Sequence, residues 1–180
     1  MELITPRLRL RDMRESDFEA MLAVERDPEV QRFERDLPGE QDIRLRFGYA
    51  LEEARESPRT RYQFAVTVPP ADELIGRVSL KLTMPDIHQW ELGWYIRRAM
   101  WGNGYATEAA RALMDFAFNE RHAHRLVAFC HTQNSRSERV MQKLGMTREA
   151  QNRATVWIGG QWHDELLYAI LDDEFFRRNP

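Results

Sequence analysis

The sequence predicts a mixed α/β fold: one central sheet, mostly antiparallel, with a single parallel strand–helix–strand crossover and helices on both faces. Three observations carry that prediction. Apolar and polar residues alternate through 64–68, 78–82 and 90–96, the period of half-buried strands. Apolar residues then recur at helical spacing from Ala106 to Ala117. A short, fully apolar run follows at 126–130, as in the centre of a sheet.

Taken in order, residues 3–11 set Leu8 and Leu10 against Arg7, Arg9 and Arg11, the alternation of an edge strand. Ser16 and Asp17 offer caps for a helix running to about residue 25, with Phe18, Met21 and Leu22 on one face, and Asp27-Pro28 breaks it. A second helix is expected over 40–57, bounded by Pro38-Gly39 and Pro58. Phe64, Val66 and Val68 mark a strand, Pro69-Pro70-Ala71-Asp72 turns the chain, and Val78, Leu80 and Leu82 alternate with Arg77, Ser79 and Lys81 in the next. A third strand, 88–96, sends Trp90, Leu92, Trp94 and Ile96 to one face and Glu91, Gly93 and Tyr95 to the other. A helix over 103–120 leads to the strand at 126–130 and then to a helix over 135–144 closed by Gly145. The last strands, near 155–158 and 162–170, are joined by Gly159-Gly160-Gln161 as a hairpin turn. With no repeat, low-complexity tract or linker, a single domain spanning 1–180 is expected.

Composition narrows the function. Of 180 residues, 43% are hydrophobic and 31% charged, and the net charge of -3 offers no basic footprint for nucleic acid. Short blocks such as Arg35-Asp36 and Arg177-Arg178 read as solvated surface. Cys130 stands alone, so no intramolecular disulfide or paired-cysteine zinc site can form, and its apolar surroundings suit a buried structural thiol. His122, His124 and His131 lack a nearby acidic triad and read as surface histidines, so no metal is expected. The N-terminus lacks the layout of a signal peptide, and the apolar runs are far too short for a membrane span. A soluble, cytoplasmic protein without membrane or nucleic-acid partners is expected.

Two stretches carry chemistry. In Ile96-Arg-Arg-Ala-Met-Trp-Gly-Asn-Gly-Tyr-Ala-Thr-Glu108 a strand ends, a loop with two glycines follows, and a helix starts at once. The unpaired N–H groups and positive dipole end of a helix start suit a phosphate or pyrophosphate, although a bare strand-to-helix turn has the same pattern. A Walker loop is excluded because its lysine is missing, and a Rossmann loop because Thr107 stands near the third glycine position. In Asn134-Ser-Arg-Ser-Glu-Arg-Val-Met-Gln-Lys-Leu-Gly-Met146, Ser137, Val140, Met141 and Leu144 share one helical face. Arg136, Arg139 and Lys143 lie on another stripe, either solvated or within reach of phosphates, and Asn134 is a ligand contact or simply a helix cap.

Together the two stretches resemble the GNAT superfamily of N-acetyltransferases, closest to its ribosomal-protein alanine and serine acetyltransferase (RimJ/RimL-like) branch. The resemblance covers nearly the whole chain, from Thr5-Pro-Arg-Leu-Arg-Leu-Arg-Asp to the strand around 164–170. Trp101-Gly-Asn-Gly-Tyr-Ala-Thr-Glu-Ala matches the family's pyrophosphate loop, and Asn134-x-x-Ser137 with Lys143-Leu-Gly-Met matches its second coenzyme motif.

What the resemblance implies is a GNAT fold and transfer of an acetyl group from acetyl-CoA, as co-substrate, to a primary amine by direct attack. The implied coenzyme contacts are Trp94, Ile96, Trp101, Gly102, Asn103, Gly104, Tyr105, Ala106, Thr107, Asn134, Arg139 and Lys143. The pattern departs at Trp101, where Gln or Arg is usual, and at Met141, where many members carry a tyrosine as general acid. In the resembled branch the serine corresponding to Ser137 takes that role. Glu91 is the preferred general base if a β-bulge near Gly93 re-aims it, and otherwise the partner of a surface arginine. Glu108 suits helix packing or capping.

The acceptor is a small-molecule or peptide amine. Glu34, Asp36, Glu40, Asp42, Glu52, Glu53 and Glu56 would draw a cationic one, or else form a solvated helix face. Trp157, Trp162 and Tyr168 are assigned to the core or to the acceptor-pocket wall. An edge strand or the closing hairpin would serve a homodimer. A catalytically silent acyl-CoA-binding module is the alternative function.

Overall fold

Pro6 decides how the chain begins. Proline has no N–H for a strand ladder, and here Thr5 N–H donates to Leu8 O while Leu8 N–H donates back to the Thr5 hydroxyl, both at 2.9 Å. The single strand expected over 3–11 is therefore two, β1 (Glu2–Ile4) and β2 (Arg9–Asp12), paired antiparallel with Leu3 opposite Leu10. The computed structural model describes residues 1–34 and 38–178, so the Arg35-Asp36 block lies outside the described residues.

Asp17 does not cap the next helix with its side chain. Its carboxylate accepts from the Arg11 guanidinium at 2.7 and 2.9 Å and from Arg14 N–H at 2.7 Å. Arg11 and Asp17 are both buried, and the hydrogen bond to Asp17 holds the Arg11 guanidinium pKa above its ordinary value against the opposing effect of burial. A 3-10 turn over Glu15–Asp17 then feeds α1 (Phe18–Glu25). The second helix, α2 (Glu40–Glu53), stops short of the expected residue 57, and Asp42 closes its first turn by accepting from Gly39 N–H at 3.2 Å. Phe18 meets Phe47 edge-on at 5.4 Å, joining α1 to α2.

Strands β3 (Arg61–Thr67), β4 (Leu74–Met84) and β5 (Gln89–Ile96) form an antiparallel meander. Its register sets three rungs on the α1–α2 face: Arg61–Lys81–Glu91, Gln63–Ser79–Gly93 and Ala65–Arg77–Tyr95. The β4–β5 ladder runs without a break past Gly93, and its irregularity falls between Leu82 and Met84. The bulge near Gly93 that is the condition for re-aiming Glu91 is therefore absent from this pair, because the Ser79–Gly93 rung is fully in register.

Helix α3 (Tyr105–Arg121) makes the crossover to β6 (Arg125–His131), which pairs parallel with β5. Helix α4 (Ser135–Lys143) precedes β7 (Thr147–Ile158) and β8 (Gln161–Leu171), and the sheet order is β1-β2-β3-β4-β5-β6-β8-β7. β7 starts well before the expected residue 155. Its register shifts at Arg148/Ala150 and Asn152/Val156, with Ala154 at φ 54°, erase the alternation that would mark it. Gly159 and Gly160 make the β7–β8 turn with φ of 57° and 80°, left-handed values that glycine adopts without strain. A short α5 (Asp172–Arg178), too brief for a periodic signal, closes the chain by stacking buried Phe175 on Phe118 at 4.5 Å.

Two apolar clusters follow from this layering. Leu80, Leu92, Ile96 and Leu126 meet Ala109, Leu113 and Met141 of α3 and α4 on one face of the sheet. Met13, Met21, Ile43 and Phe47 pack against Ala65 and Leu74 on the other. Among the described residues no helix is long and apolar enough to cross a membrane.

Removing one member of a buried ion pair strands the other, at a cost of about 3–5 kcal/mol. Arg11→Met should therefore lower unfolding free energy by about 3 kcal/mol, read from the midpoint of a urea titration at unchanged slope.

Candidate functional site

The parallel pairing of β5 with β6 covers only Gln89–Arg125, Trp90–Leu126 and Glu91–Val127. β5 continues along β4 to Ile96, and β6 continues along β8 to His131. Beyond Glu91 the two strands separate, and the facing backbone groups have no ladder partner across the gap. This wedge opens toward the carboxyl ends of the strands, where α/β sheets bind ligands.

At its mouth stands the loop before α3. Gly102 and Gly104 both have φ 81°, a conformation that side-chain-bearing residues adopt only with strain. Asn103 fastens the loop through its amide, which donates to Met100 O at 3.1 Å and Trp101 O at 3.3 Å. The Trp101 indole donates to Ile96 O at 2.7 Å, tying the loop to the end of β5, and the Arg136 guanidinium lies 4.3 Å over its ring. Helix α3 begins with Glu108 N–H on Gly104 O. The N–H groups of Tyr105, Ala106 and Thr107 therefore take no acceptor from the described residues, and the positive end of the helix dipole coincides with them.

The N-terminal segment clamps this loop. Glu108 accepts from the Thr5 hydroxyl at 2.6 Å and from Arg7 Nε at 2.6 Å, and Arg7 donates to Asn103 O at 2.9 Å. Burial raises the Glu108 carboxyl pKa, but the bonds from Thr5 and Arg7 outweigh it and hold the group below its ordinary range. Arg7 thus places a cation beside the loop, with a guanidinium nitrogen 3.4 Å from where a Gly104 Cβ would stand. Sequence reading passed over it, because only the fold brings Arg7 to Asn103.

The other expected residues divide by location. Trp94 and Ile96 lie on the α3 face of β5, Trp94 half-buried and Ile96 buried. Asn134 caps α4, its side chain accepting from Ser137 N–H at 3.1 Å. Ser137 is half-buried, and its hydroxyl has no partner among the described residues. Arg139 folds back onto Ser135 O at 3.0 Å and the Ser135 hydroxyl at 3.1 Å, and Lys143 is exposed at the far end of α4. Glu91 is half-buried on the α1–α2 face. It lines a cavity of about 220 Å³ with Glu25, Arg46, Arg61, Arg77 and Lys81. Among the described residues the surface-arginine contact considered for it is not formed.

Other assignments are refined by the packing. His131 is buried rather than a surface group, its ring between those of Phe33 and His163, and burial with the nearby His163 lowers its pKa. Trp157 and Trp162 are exposed and touch each other, with centroids 5.0 Å apart, whereas Tyr168 is core and donates to Glu138 at 2.8 Å. Several of the acids considered for drawing a cationic acceptor have structural partners: Glu34 accepts from Tyr95 OH, Glu40 pairs with Arg44, and Glu53 bonds Arg61 and Gln63. Asp36 lies outside the described residues. Among the described residues no group of three or more His, Cys, Asp or Glu is placed to hold a metal ion.

The family model for an acetyltransferase (GNAT) domain matches residues 7–147. An uncharacterized N-acetyltransferase, YnaD of Bacillus subtilis, is 31% identical over 97% of this chain and 99% of its own length. The ribosomal protein uS5-alanine N-acetyltransferase of Escherichia coli is 28% identical over 63% of this chain and 59% of its own length. A crystal structure of a GNAT-family acetyltransferase from Bacillus anthracis superimposes with a TM-score of 0.85 at 30% identity, covering 97% of this chain and all of the other.

Two outcomes test this geometry. A Cβ at Gly104 forces a left-handed alanine, at roughly 1–2 kcal/mol, so Gly104→Ala should weaken coenzyme A binding about tenfold by calorimetry. Burial, aided by Glu138 and Glu165, pushes the Cys130 thiol up to about 12. Its thiolate is then scarce at pH 8, and thiol reagents should label Cys130 only after denaturant is added.

Proposed function

This chain belongs to the GNAT family of acetyltransferases, and from that premise we propose that it moves an acetyl group from acetyl-CoA to a primary amine by direct attack. The observation that carries the reading is the conjunction of the free N–H groups at Tyr105–Thr107 with the wedge beyond Glu91 and the charged cavity beside it.

Acetyl-CoA supplies an activated acyl carbon. The chain's own groups do the rest. Gly102, Asn103, Gly104, Tyr105, Ala106 and Thr107 offer backbone N–H groups to the pyrophosphate, with Arg7 and Arg136 adding positive charge. Trp101 acts through structure, holding the loop against Ile96. Trp94 and Ile96 line the edge of β5 along which the pantetheine arm lies. Arg139 and Lys143 reach the phosphates from α4, Arg139 after leaving Ser135, and Asn134 fixes the start of that helix.

Glu91 is the general base. An alkylammonium with a pKa near ~10 must lose a proton before attack, and the Glu91 carboxylate has no ion pair or hydrogen bond among the described residues to occupy it. Strand parity points it into the cavity on the α1–α2 side without any bulge, so the amine approaches from there. Unpaired backbone N–H groups of β5 beyond Glu91 stabilise negative charge developing on the acyl oxygen. Ser137 returns a proton to the departing sulfur, a role its partnerless hydroxyl leaves open, while buried Met141 has no proton to give.

Incubation of the purified protein with acetyl-CoA and a panel of primary amines, followed by thiol release and mass spectrometry, tests the reading. Acetylated amine is the expected result, whereas coenzyme binding without release for every amine would establish a silent binding module. Glu91→Gln should lower kcat by about 10²-fold or more while coenzyme A affinity stays within a factor of two or so.

A further inference from the structure

The cavity under α1 and α2 has an uneven arrangement of charge. Its floor is the rung Arg61–Lys81–Glu91 and the rung Gln63–Ser79–Gly93, and its roof is Met21 and Glu25 of α1 with Arg46 and Tyr49 of α2. Arg77, on the third rung, closes one end. Gly93 keeps the floor low, since a Cβ there would come within 2.9 Å of the Ser79 hydroxyl oxygen.

Most of these charges are already matched. Buried Glu25 accepts from Arg77 at 2.8 Å, and Arg46 lies 2.9 Å from its other oxygen. Arg61 is paired with Glu53 at 3.1 Å. Lys81 and Glu91 remain. They are cross-strand neighbours on one face, yet neither has an ion pair or hydrogen bond among the described residues. Lys81 also stands directly opposite Arg61, and like charges so placed destabilise a sheet. The floor therefore presents a half-buried carboxylate at one edge and an exposed, unpaired Lys81 ammonium a strand away, a separation of about 5 Å.

We infer that the acceptor is an amine with a carboxylate on the adjacent carbon, an α-amino acid. Its ammonium meets Glu91, and its carboxylate meets Lys81. A polyamine would set cation against cation at Lys81, and a protein N-terminus has an amide in place of the carboxylate. The cavity volume of about 220 Å³ is below the 300–1,000 Å³ of drug-sized sites and suits a molecule of this size. This assignment rests on the acetyl-transfer reading above, with Glu91 taking the proton from the same amine that attacks.

The test compares each free L-amino acid with its own amide, using the full chain and acetyl-CoA, and reads thiol release and acetylated product. For the preferred side chain the acid should exceed the amide at least tenfold in kcat/KM, through KM. Lys81→Gln should bring that ratio close to one by raising KM for the acid, and Lys81→Arg should restore it; a circular dichroism melt confirms that each variant is folded. Amides, polyamines or peptide N-termini acetylated as well as or better than the acids would overturn the assignment while leaving acetyl transfer intact. Tight coenzyme binding with no amine acetylated would overturn the acetyl-transfer reading, and this one with it.

Discussion

Everything at the site depends on the early end of the parallel pairing between β5 and β6. Three rungs hold the strands together, and then each follows its other neighbour, β5 along β4 and β6 along β8. Both strands remain paired on their outer edges, so a ladder holds each side of the gap. A sheet normally cannot leave such edges unpaired in its middle without cost. A ligand whose amide-bearing chain can pair with them removes that cost.

The loop before α3 is held from three directions. Trp101 ties it to the end of β5, Arg7 ties it to the N-terminal turn, and Glu108 fixes that turn to the first turn of α3. None of these contacts uses the N–H groups of Tyr105, Ala106 or Thr107. The side chains build the loop and leave its backbone free, so the loop is organised before any ligand arrives.

The opposite face of the sheet performs a different task. There the α1–α2 layer covers charged rungs instead of a continuous apolar surface. Buried Glu25 and Arg11 are tolerated because each meets geometrically matched partners, Glu25 with Arg77 and Arg46, Arg11 with Asp17 and Asp72. The polar layer lets the α1–α2 side of the wedge carry charge, while the α3 face supplies the dense apolar packing around Leu113 and Met141.

The sequence by itself determined the mixed sheet, the crossover helix and the two-glycine loop before it, since all three are written in local periodicity and in glycines at fixed spacing. It also separated Glu91 from Trp90 and Leu92 by strand parity. Several features had no local signal. β7 was hidden by register shifts, α5 by its brevity, and the break at Pro6 by an alternation that continues across it. Arg7 beside the loop, His131 in a buried ring cluster, and Lys81 opposite Arg61 are pairings between residues distant in the chain. Tertiary structure alone decided them, because cross-strand register and helix placement, not neighbouring sequence, set which charges face one another.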